Sequence, residues 1–243
     1  MEERPPPHAA APQSAGARLP GTPEPMHFWQ GASGNRIAGD TWGDPRGPLV
    51  ILQHGGGQTR HAWKRAGTTL GAAGYHAVSI DARGHGDSDW VADGAYGQDT
   101  MVADLVSVIA QLGQRRPVLV GASMGGGTSL VAIGEDHVDA TALVLVDIAP
   151  RIEIEGVGKI QAFMNLKPGG FDSLQQVADA IASYQPHRQP PGSLAGLAKN
   201  VRLGADGKYH WHWDPRFRDV SRALDLRRQR LEACARRLTL PTL

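Results

Sequence analysis

Short apolar runs recur along the first 150 residues, separated by glycine, proline and polar residues. Runs of this kind, rich in aliphatic and β-branched side chains, are typical of buried strands. They predict strands at Pro48–His54, His76–Ile80, Pro117–Ala122 and Ala142–Val146. Before them, two shorter segments flank a turn that contains glycine and asparagine, and they predict a hairpin, His27–Gln30 with Ile37–Trp42.

Between these strands the apolar positions take the spacing of helices. Thr100–Leu112 carries apolar residues on one helical face, and Asp99 stands before it as the expected N-cap. A second helix is expected at Ser123–Leu130, directly after a strand. Strands that are apolar almost throughout and alternate with helices are typical of a parallel sheet covered on both faces. The pattern therefore predicts an α/β fold with a mostly parallel sheet and helices on both faces.

Beyond about residue 150 helical spacing continues without buried strands between the helices. A capping pattern predicts a helix at Asp172–Tyr184. An Asp-Pro pair predicts that an arginine-rich helix begins at Asp214 and runs to about Arg237. Between these helices a glycine-containing turn predicts a short hairpin, Val201–Leu203 with Lys208–Trp213.

The two ends of the chain differ from the rest. Residues 1–25 contain seven prolines and few large apolar side chains, so they cannot bury enough surface to offset their ordering entropy. We predict that this tail is disordered. At the other end, residues 238–243 (LTLPTL) look like the start of another buried strand.

Composition excludes several classes of function. The 243 residues are 41% hydrophobic with a formal net charge of +1, so no strong charge draws the chain to nucleic acid or to a membrane surface. The lone cysteine, Cys234, excludes an internal disulfide. No apolar run approaches the ~18 residues of a membrane span, and no secretory signal precedes the first strand. These features predict a cytoplasmic protein.

The join between a strand and a helix at Gly121–Gly125 reads G-x-S-x-G. A sharp turn of this pattern holds a serine hydroxyl above the sheet edge and is known as a nucleophile elbow. Gly121 and Gly125 lack the Cβ atoms that would collide inside the turn. The hydroxyl of Ser123 would stand at a helix N-terminus, where free N–H groups can bind a developing anion. The pattern indicates acyl transfer through a serine.

Two more motifs accompany the elbow, and the three occur in a familiar order. His54–Gly57 (HGGG) follows one predicted strand, and Asp81–Ser88 (DARGHGDS) follows the next. With GASMGG at the elbow, the sequence resembles the α/β-hydrolase fold family, in particular its serine-nucleophile esterases, cofactor-free haloperoxidases and C–C hydrolases. The resemblance implies a core at residues 26–150, a helical cap at 151–237 and the start of a truncated core strand at 238–243.

The resemblance also implies roles for individual residues. Ser123 would be the nucleophile, and the backbone N–H groups of Gly56 and Met124 would form the oxyanion hole. The implied reaction is hydrolysis of a small ester, lactone or related acyl substrate through an acyl-enzyme, without a metal or other cofactor. Epoxide hydrolases of this fold use aspartate as nucleophile, so serine at position 123 argues against epoxide chemistry. The implied partner is a small-molecule substrate, and the oligomeric state stays open.

The triad acid and base are the open part of this interpretation. The family order is serine, then an acid, then a histidine. The usual acid would follow the strand that begins at Leu240–Leu243, so we expect the chain to be truncated before both partners. Asp147, at the end of the fourth predicted strand, is an alternative acid. Replacement bases that are possible in principle are His187, His210 and His212, whereas His54 and His85 are expected to shape loops.

A second hypothesis follows from the missing acid and base. The chain would then be a catalytically inactive remnant, or a pseudo-hydrolase that binds a small molecule in the cap pocket. In either case we expect Asp81, Arg83 and Asp87 to brace their loop by hydrogen bonds rather than to take part in catalysis. His210 and His212 alternate on one strand face, but no third metal ligand accompanies them.

Overall fold

The computed structural model describes residues 14–113, 115–148, 154–184, 194–217 and 224–243. Its main sheet has six strands in the order β1-β2-β4-β3-β5-β6. The pairs β1/β2 and β2/β4 are antiparallel, and β4/β3, β3/β5 and β5/β6 are parallel. The strands are β1 His27–Gln30, β2 Arg36–Trp42, β3 Leu49–Gln53, β4 His76–Ile80, β5 Val118–Ala122 and β6 Ala142–Val146.

Helices lie between and after these strands. They are α1 Lys64–Ala72, α2 Gln98–Gln111, α3 Met124–Gly134, α4 Ile154–Met164, α5 Leu174–Tyr184 and α6 Leu224–Arg236. Short 3-10 helices occupy Arg60–Trp63 and Leu194–Asn200. In the part of the chain that the model describes, no helix is both long and apolar enough to cross a bilayer.

Alternation along the strands builds a core on each face of the sheet, because successive side chains of a strand point to opposite faces. Ile51 of β3 packs with Leu105 of α2 and Leu130 of α3 on one face. Its neighbour Leu52 packs on the other face, in the cluster that includes Leu70 of α1. The prediction of a mostly parallel sheet with helices on both faces is confirmed.

Two predicted helix starts are wrong in detail. Helix α2 begins at Gln98, so Asp99 lies inside its first turn rather than at the N-cap. Helix α5 begins at Leu174, and the hydroxyl of Ser173, not Asp172, accepts the N–H of Gln176 at 3.3 Å. Asp214 caps a short turn, where its carboxylate accepts the N–H of Arg216 at 2.8 Å. Residues 218–223 of the predicted arginine-rich helix lie outside the described residues, and α6 is described from Leu224 to Arg236. Several polar residues compete for each helix start, and the tertiary contacts choose among them.

The second half of the chain forms an apolar cluster of its own. Strands β7 Val201–Leu203 and β8 Tyr209–Trp211 make the antiparallel hairpin that the sequence predicts. Phe171 and Trp211 are buried with side chains of α5 and of the second 3-10 helix. Leu19 is buried in the same cluster.

The two ends of the described chain both make strand contacts. Ala17 exchanges backbone hydrogen bonds of 2.9 Å with Leu203, so this part of the tail is ordered, unlike the prediction for residues 1–25. Residues 1–13 lie outside the described residues. At the other end, the N–H of Leu143 in β6 donates to the carbonyl of Pro241 at 3.0 Å, and Thr242 bridges Leu143 in parallel. Residues 241–243 thus continue the sheet beyond β6.

A buried ion cluster holds together the loops at the carboxyl ends of β3 and β4. The side chain of Arg60 is fully buried, and its nitrogens lie 3.0 Å from Asp40, 2.7 Å from Asp81 and 2.8 Å from Asp87. Burial by itself lowers the pKa of Arg60, but the charges of Asp81 and Asp40 outweigh it and raise the pKa on balance. The cluster therefore stays ionised inside the protein.

The same cluster ties the second half of the chain to the sheet. The second carboxylate oxygen of Asp87 lies 2.9 Å from the guanidinium of Arg202 on β7, which is also buried. A second buried ion pair joins the loop after β4 to α2. Arg83 donates to both carboxylate oxygens of Asp104, at 2.6 and 2.7 Å. Asp81, Arg83 and Asp87 thus brace the loop after β4, as the sequence analysis expects.

Replacing Arg60 with methionine tests how much this ion cluster contributes to the free energy of unfolding. The substitution Arg60→Met would leave three carboxylates buried without their shared cation, so we expect the free energy of unfolding to fall by about 3–5 kcal/mol. Urea denaturation at pH 7 measures it. The matched control is Arg46→Met, which breaks an exposed pair with Asp44 and should cost less than about 1 kcal/mol. Equal losses in the two variants would contradict the assignment.

Candidate active site

The elbow after β5 has the strained backbone that its sequence predicts. Ser123 has φ 45° and ψ −105°, a conformation that residues with a Cβ rarely adopt. Its N–H donates to the carbonyl of Val146 at 3.0 Å, and its own carbonyl accepts the N–H of Gly127 at 2.9 Å. The strain is thus held by the neighbouring strand on one side and by helix α3 on the other. The side chain of Ser123 is partly exposed.

The two glycines of the elbow are required by close packing. A Cβ on Gly121 would lie 2.4 Å from the carbonyl carbon of Gly125, and a Cβ on Gly125 would lie 2.6 Å from the carbonyl oxygen of Gln53. Both contacts are with backbone, which cannot move aside cheaply. Helix α3 therefore starts in direct contact with β3 and β5, and this places the elbow at the carboxyl end of the parallel strands.

The HGGG loop lies beside the elbow. The N–H of Gly125 donates to the carbonyl of His54 at 3.2 Å, and a Cβ on Gly55 would lie 3.5 Å from the Cβ of Ser123. Within the loop, Gly55 donates its N–H to the side chain of Gln58 at 3.0 Å, and Gly57 donates to His85 at 3.3 Å. The amide of Gly56 stands between these two anchored amides.

Met124, the other expected oxyanion donor, is the first residue of α3 and is buried. The first N–H groups of a helix have no partner within the helix, and they carry the positive end of its dipole. The elbow and the HGGG loop are thus two sources of backbone N–H groups next to one serine. This arrangement suits a developing oxyanion.

Three buried imidazoles surround the HGGG loop. His54 has Nδ1 at 2.8 Å from the carbonyl of Gly55 and accepts the N–H of Ala82 on Nε2 at 3.0 Å. His85 has Nδ1 at 3.2 Å from the carbonyl of Arg83 and accepts the N–H of Gly57 on Nε2. In both rings one nitrogen donates and the other accepts, so the ring is neutral with the proton on Nδ1.

His212, which follows β8, is the third ring of this set. It accepts the N–H of Gly86 on Nδ1 at 2.8 Å, and its Nε2 faces the carbonyl of Gly57 at 3.3 Å. The ring is therefore neutral with the proton on Nε2. Burial lowers the pKa of all three histidines, that of His85 to about 3. Because all their nitrogens are bonded to backbone, these rings shape loops.

Among the described residues, no contact joins the other two candidates, Asp147 and His210. Asp147 follows β6 with φ 53°, and it is exposed. Burial and the charge of Asp147 raise the pKa of Tyr184 on α5. His210 lies 3.0 Å from Asp206 within the β7–β8 hairpin, and His187 lies outside the described residues. Among the contacts described for Asp147 there is none with a histidine.

Comparison with known proteins assigns the family. The family described as the alpha/beta hydrolase fold matches residues 48–173, which include the HGGG loop, the loop after β4 and the elbow. The chain belongs to the alpha/beta hydrolase fold family. As in that family's sequence pattern, its serine elbow joins a parallel strand to a helix.

The relatives of this chain include one protein named as an esterase and one named as an oligomer hydrolase. The esterase Rv0045c of Mycobacterium tuberculosis is 33% identical over 71% of this chain and 58% of its own length. A 3-hydroxybutyrate-oligomer hydrolase of Cupriavidus necator is 29% identical over 75% of this chain and 64% of its own. The chain thus spans less than two thirds of either relative.

A solved alpha/beta hydrolase structure has the same fold. The crystal structure of an alpha/beta hydrolase from Novosphingobium aromaticivorans superposes with a TM-score of 0.76, covering 91% of this chain and 81% of the other at 23% identity. The motifs of the sequence predict the elbow and the HGGG loop. They do not predict the ring of His212 at this loop, because nothing local distinguishes it from its neighbour His210.

The buried imidazoles predict how stability depends on pH. An unfolded histidine binds a proton below about pH 6.5, whereas folded His85 does so only near pH 3. Between these values the unfolded state holds more protons, so the free energy of unfolding falls as the pH falls. Each such histidine contributes a slope of at most about 1.4 kcal/mol per pH unit.

We therefore expect His85→Gln to make this slope shallower by about 1.2 kcal/mol per unit between pH 6 and pH 5, where the unfolded histidine is mostly protonated. Urea denaturation at a series of pH values measures the slope. The same substitution at the exposed His137 is the matched control. A slope that His85→Gln and His137→Gln change equally would show that burial of the ring is not the cause.

Proposed function

We propose that this protein hydrolyses small carboxylic esters or lactones and that Ser123 is the nucleophile. The observation that carries the proposal is a strained, partly exposed serine that lies between the start of α3 and the HGGG loop. Met124 and Gly56, one from each, are the proposed N–H donors. Membership of the alpha/beta hydrolase fold family supports the proposal, as do relatives named as an esterase and an oligomer hydrolase.

The proposed reaction has two steps. The Oγ of Ser123 attacks the ester carbonyl, and the N–H groups of Gly56 and Met124 stabilise the tetrahedral oxyanion. Collapse of this intermediate breaks the bond to the alcohol, which leaves with a proton, and the acyl group stays on the serine. Water then attacks the acyl-enzyme, so a carboxylic acid is released and the hydroxyl is restored.

None of the three imidazoles around the HGGG loop is proposed as the general base. Both nitrogens of His54, His85 and His212 are bonded to backbone, and losing either bond would disturb the loop that holds Gly56. We propose Asp147 as the alternative acid, because it follows β6, the strand that pairs with the elbow strand β5.

The occupied imidazoles favour a second candidate function. A pseudo-hydrolase would bind a small ester or acid at the same donors without turning it over, because a serine without a base is a weak nucleophile. The two candidates differ in one measurable property, which is covalent chemistry at Ser123.

The decisive experiment combines a fluorophosphonate probe with turnover of p-nitrophenyl acetate. The first proposal expects labelling of one site and turnover, and Ser123→Ala should remove the labelling and lower turnover by roughly a thousandfold or more. Ser107→Ala, a serine on α2 that bonds Gln30, is the matched control and should keep both. Labelling that survives Ser123→Ala would refute the assignment. If the parent chain shows no labelling and no turnover, the result favours the binding protein.

A further inference from the structure

The segment that follows β8 is fastened to the HGGG loop and to the loop after β4. The N–H of Asp214 donates to the carbonyl of Gly84 at 2.8 Å, and its carboxylate accepts the hydroxyl of Tyr96. Arg216 donates to the carbonyls of Val91 and Ala92 at 2.9 and 2.8 Å. We name residues 212–217 the docking segment. It carries the second half of the chain onto the carboxyl edge of the sheet.

Side chains of the docking segment cover the glycines of the HGGG loop. A Cβ on Gly57 would lie 3.5 Å from the ring of Trp213, and a Cβ on Gly56 would lie 3.8 Å from the ring of Phe217. The ring of Phe217 also packs edge-on against His85, with 4.7 Å between the ring centres. The loop therefore has aromatic rings of a distant part of the chain as one of its walls.

Two imidazoles hold Gly57 from both sides. Its N–H donates to His85, and its carbonyl accepts from His212, each at 3.3 Å. Gly57 has φ 72°, a backbone region open to many conformers when glycine is the residue. Three successive glycines have no side chains to limit their backbone freedom, so these two hydrogen bonds restrict the conformation of Gly57. The orientation of the preceding amide, that of Gly56, depends on how Gly57 is held.

We propose that His212 is a positioning residue for the oxyanion loop, which makes the shape of the oxyanion hole depend on docking of the segment 212–217. The inference rests on the proposed function for its catalytic consequence. The ring acts through Gly57 and touches no reacting atom. Its other nitrogen, bonded to Gly86, fixes the ring against the core.

The bonds at the ring require one tautomer. Nδ1 must be free of a proton to accept the N–H of Gly86, so the proton must be on Nε2, where it is donated to Gly57. His54 and His85 need the opposite tautomer. Nitrogen-15 NMR of histidine-labelled protein at pH 7 distinguishes the two forms, and the His212 signal is assigned by its loss in the variants below.

The main test compares His212→Phe with His212→Gln. Phenylalanine keeps a flat ring but removes both bonds, whereas the glutamine amide restores one donor and one acceptor. For p-nitrophenyl acetate we expect His212→Phe to lower kcat roughly ten- to a hundredfold with KM little changed, because the oxyanion donor is misplaced. His212→Gln should recover much of that loss. His210→Phe is the matched control and should keep the parent kcat, because the His210 ring contacts Asp206 within the β7–β8 hairpin.

A second readout does not need turnover. Hydrogen–deuterium exchange of the segment 55–58 should become at least tenfold faster in His212→Phe, while exchange in α1 and α2 stays at the parent rate. Failure of the proposed function would appear as a parent chain without Ser123-dependent chemistry, and the exchange and tautomer results then still decide the inference. Unchanged exchange at residues 55–58, or a proton on Nδ1 of His212, would overturn it. An equal loss of kcat in His210→Phe would also overturn it.

Discussion

The burial of one arginine among three carboxylates is the constraint on which the carboxyl edge of the sheet depends. Arg60 follows β3, Asp40 belongs to β2, and Asp81 and Asp87 stand at the two ends of the loop after β4. A buried charge is tolerated only when its partners are complete, because desolvation costs more than any single contact returns. The loops that frame the site are therefore held in one arrangement together.

This constraint reaches the elbow through the loops that it braces. The loop after β4 contributes His85, which holds the N–H of Gly57, and it contributes the N–H of Gly86, which holds His212. The elbow itself is held differently, by direct backbone packing of Gly121 and Gly125 against the strands. The elbow is thus held by close packing, whereas the HGGG loop is held by hydrogen bonds from distant residues. The two halves of the site are therefore held by different interactions, one by backbone packing and the other by hydrogen bonds.

Local patterns predicted most of the core and the centre of the site. The buried strands, the β7–β8 hairpin and the G-x-S-x-G elbow all depend on residues close in sequence, so the pattern contains the information. The pattern predicted helix starts less well. Asp99 and Asp172 both have the residue type of an N-cap, but Gly97 and Ser173 precede the observed helices. A cap is worth only about 1 kcal/mol, so tertiary packing readily shifts it by one or two residues.

The sequence by itself determined the order of strands and helices, the strained serine and the presence of a glycine-rich loop beside it, since turn chemistry and hydrophobic periodicity are local. Only the tertiary structure decided which partners those groups meet. It paired Arg60 with three carboxylates, bound His212 rather than His210 to the loop, and joined Leu143 to the final residues of the chain. Such contacts join residues far apart in sequence, and their energies depend on burial, which no short stretch of sequence specifies.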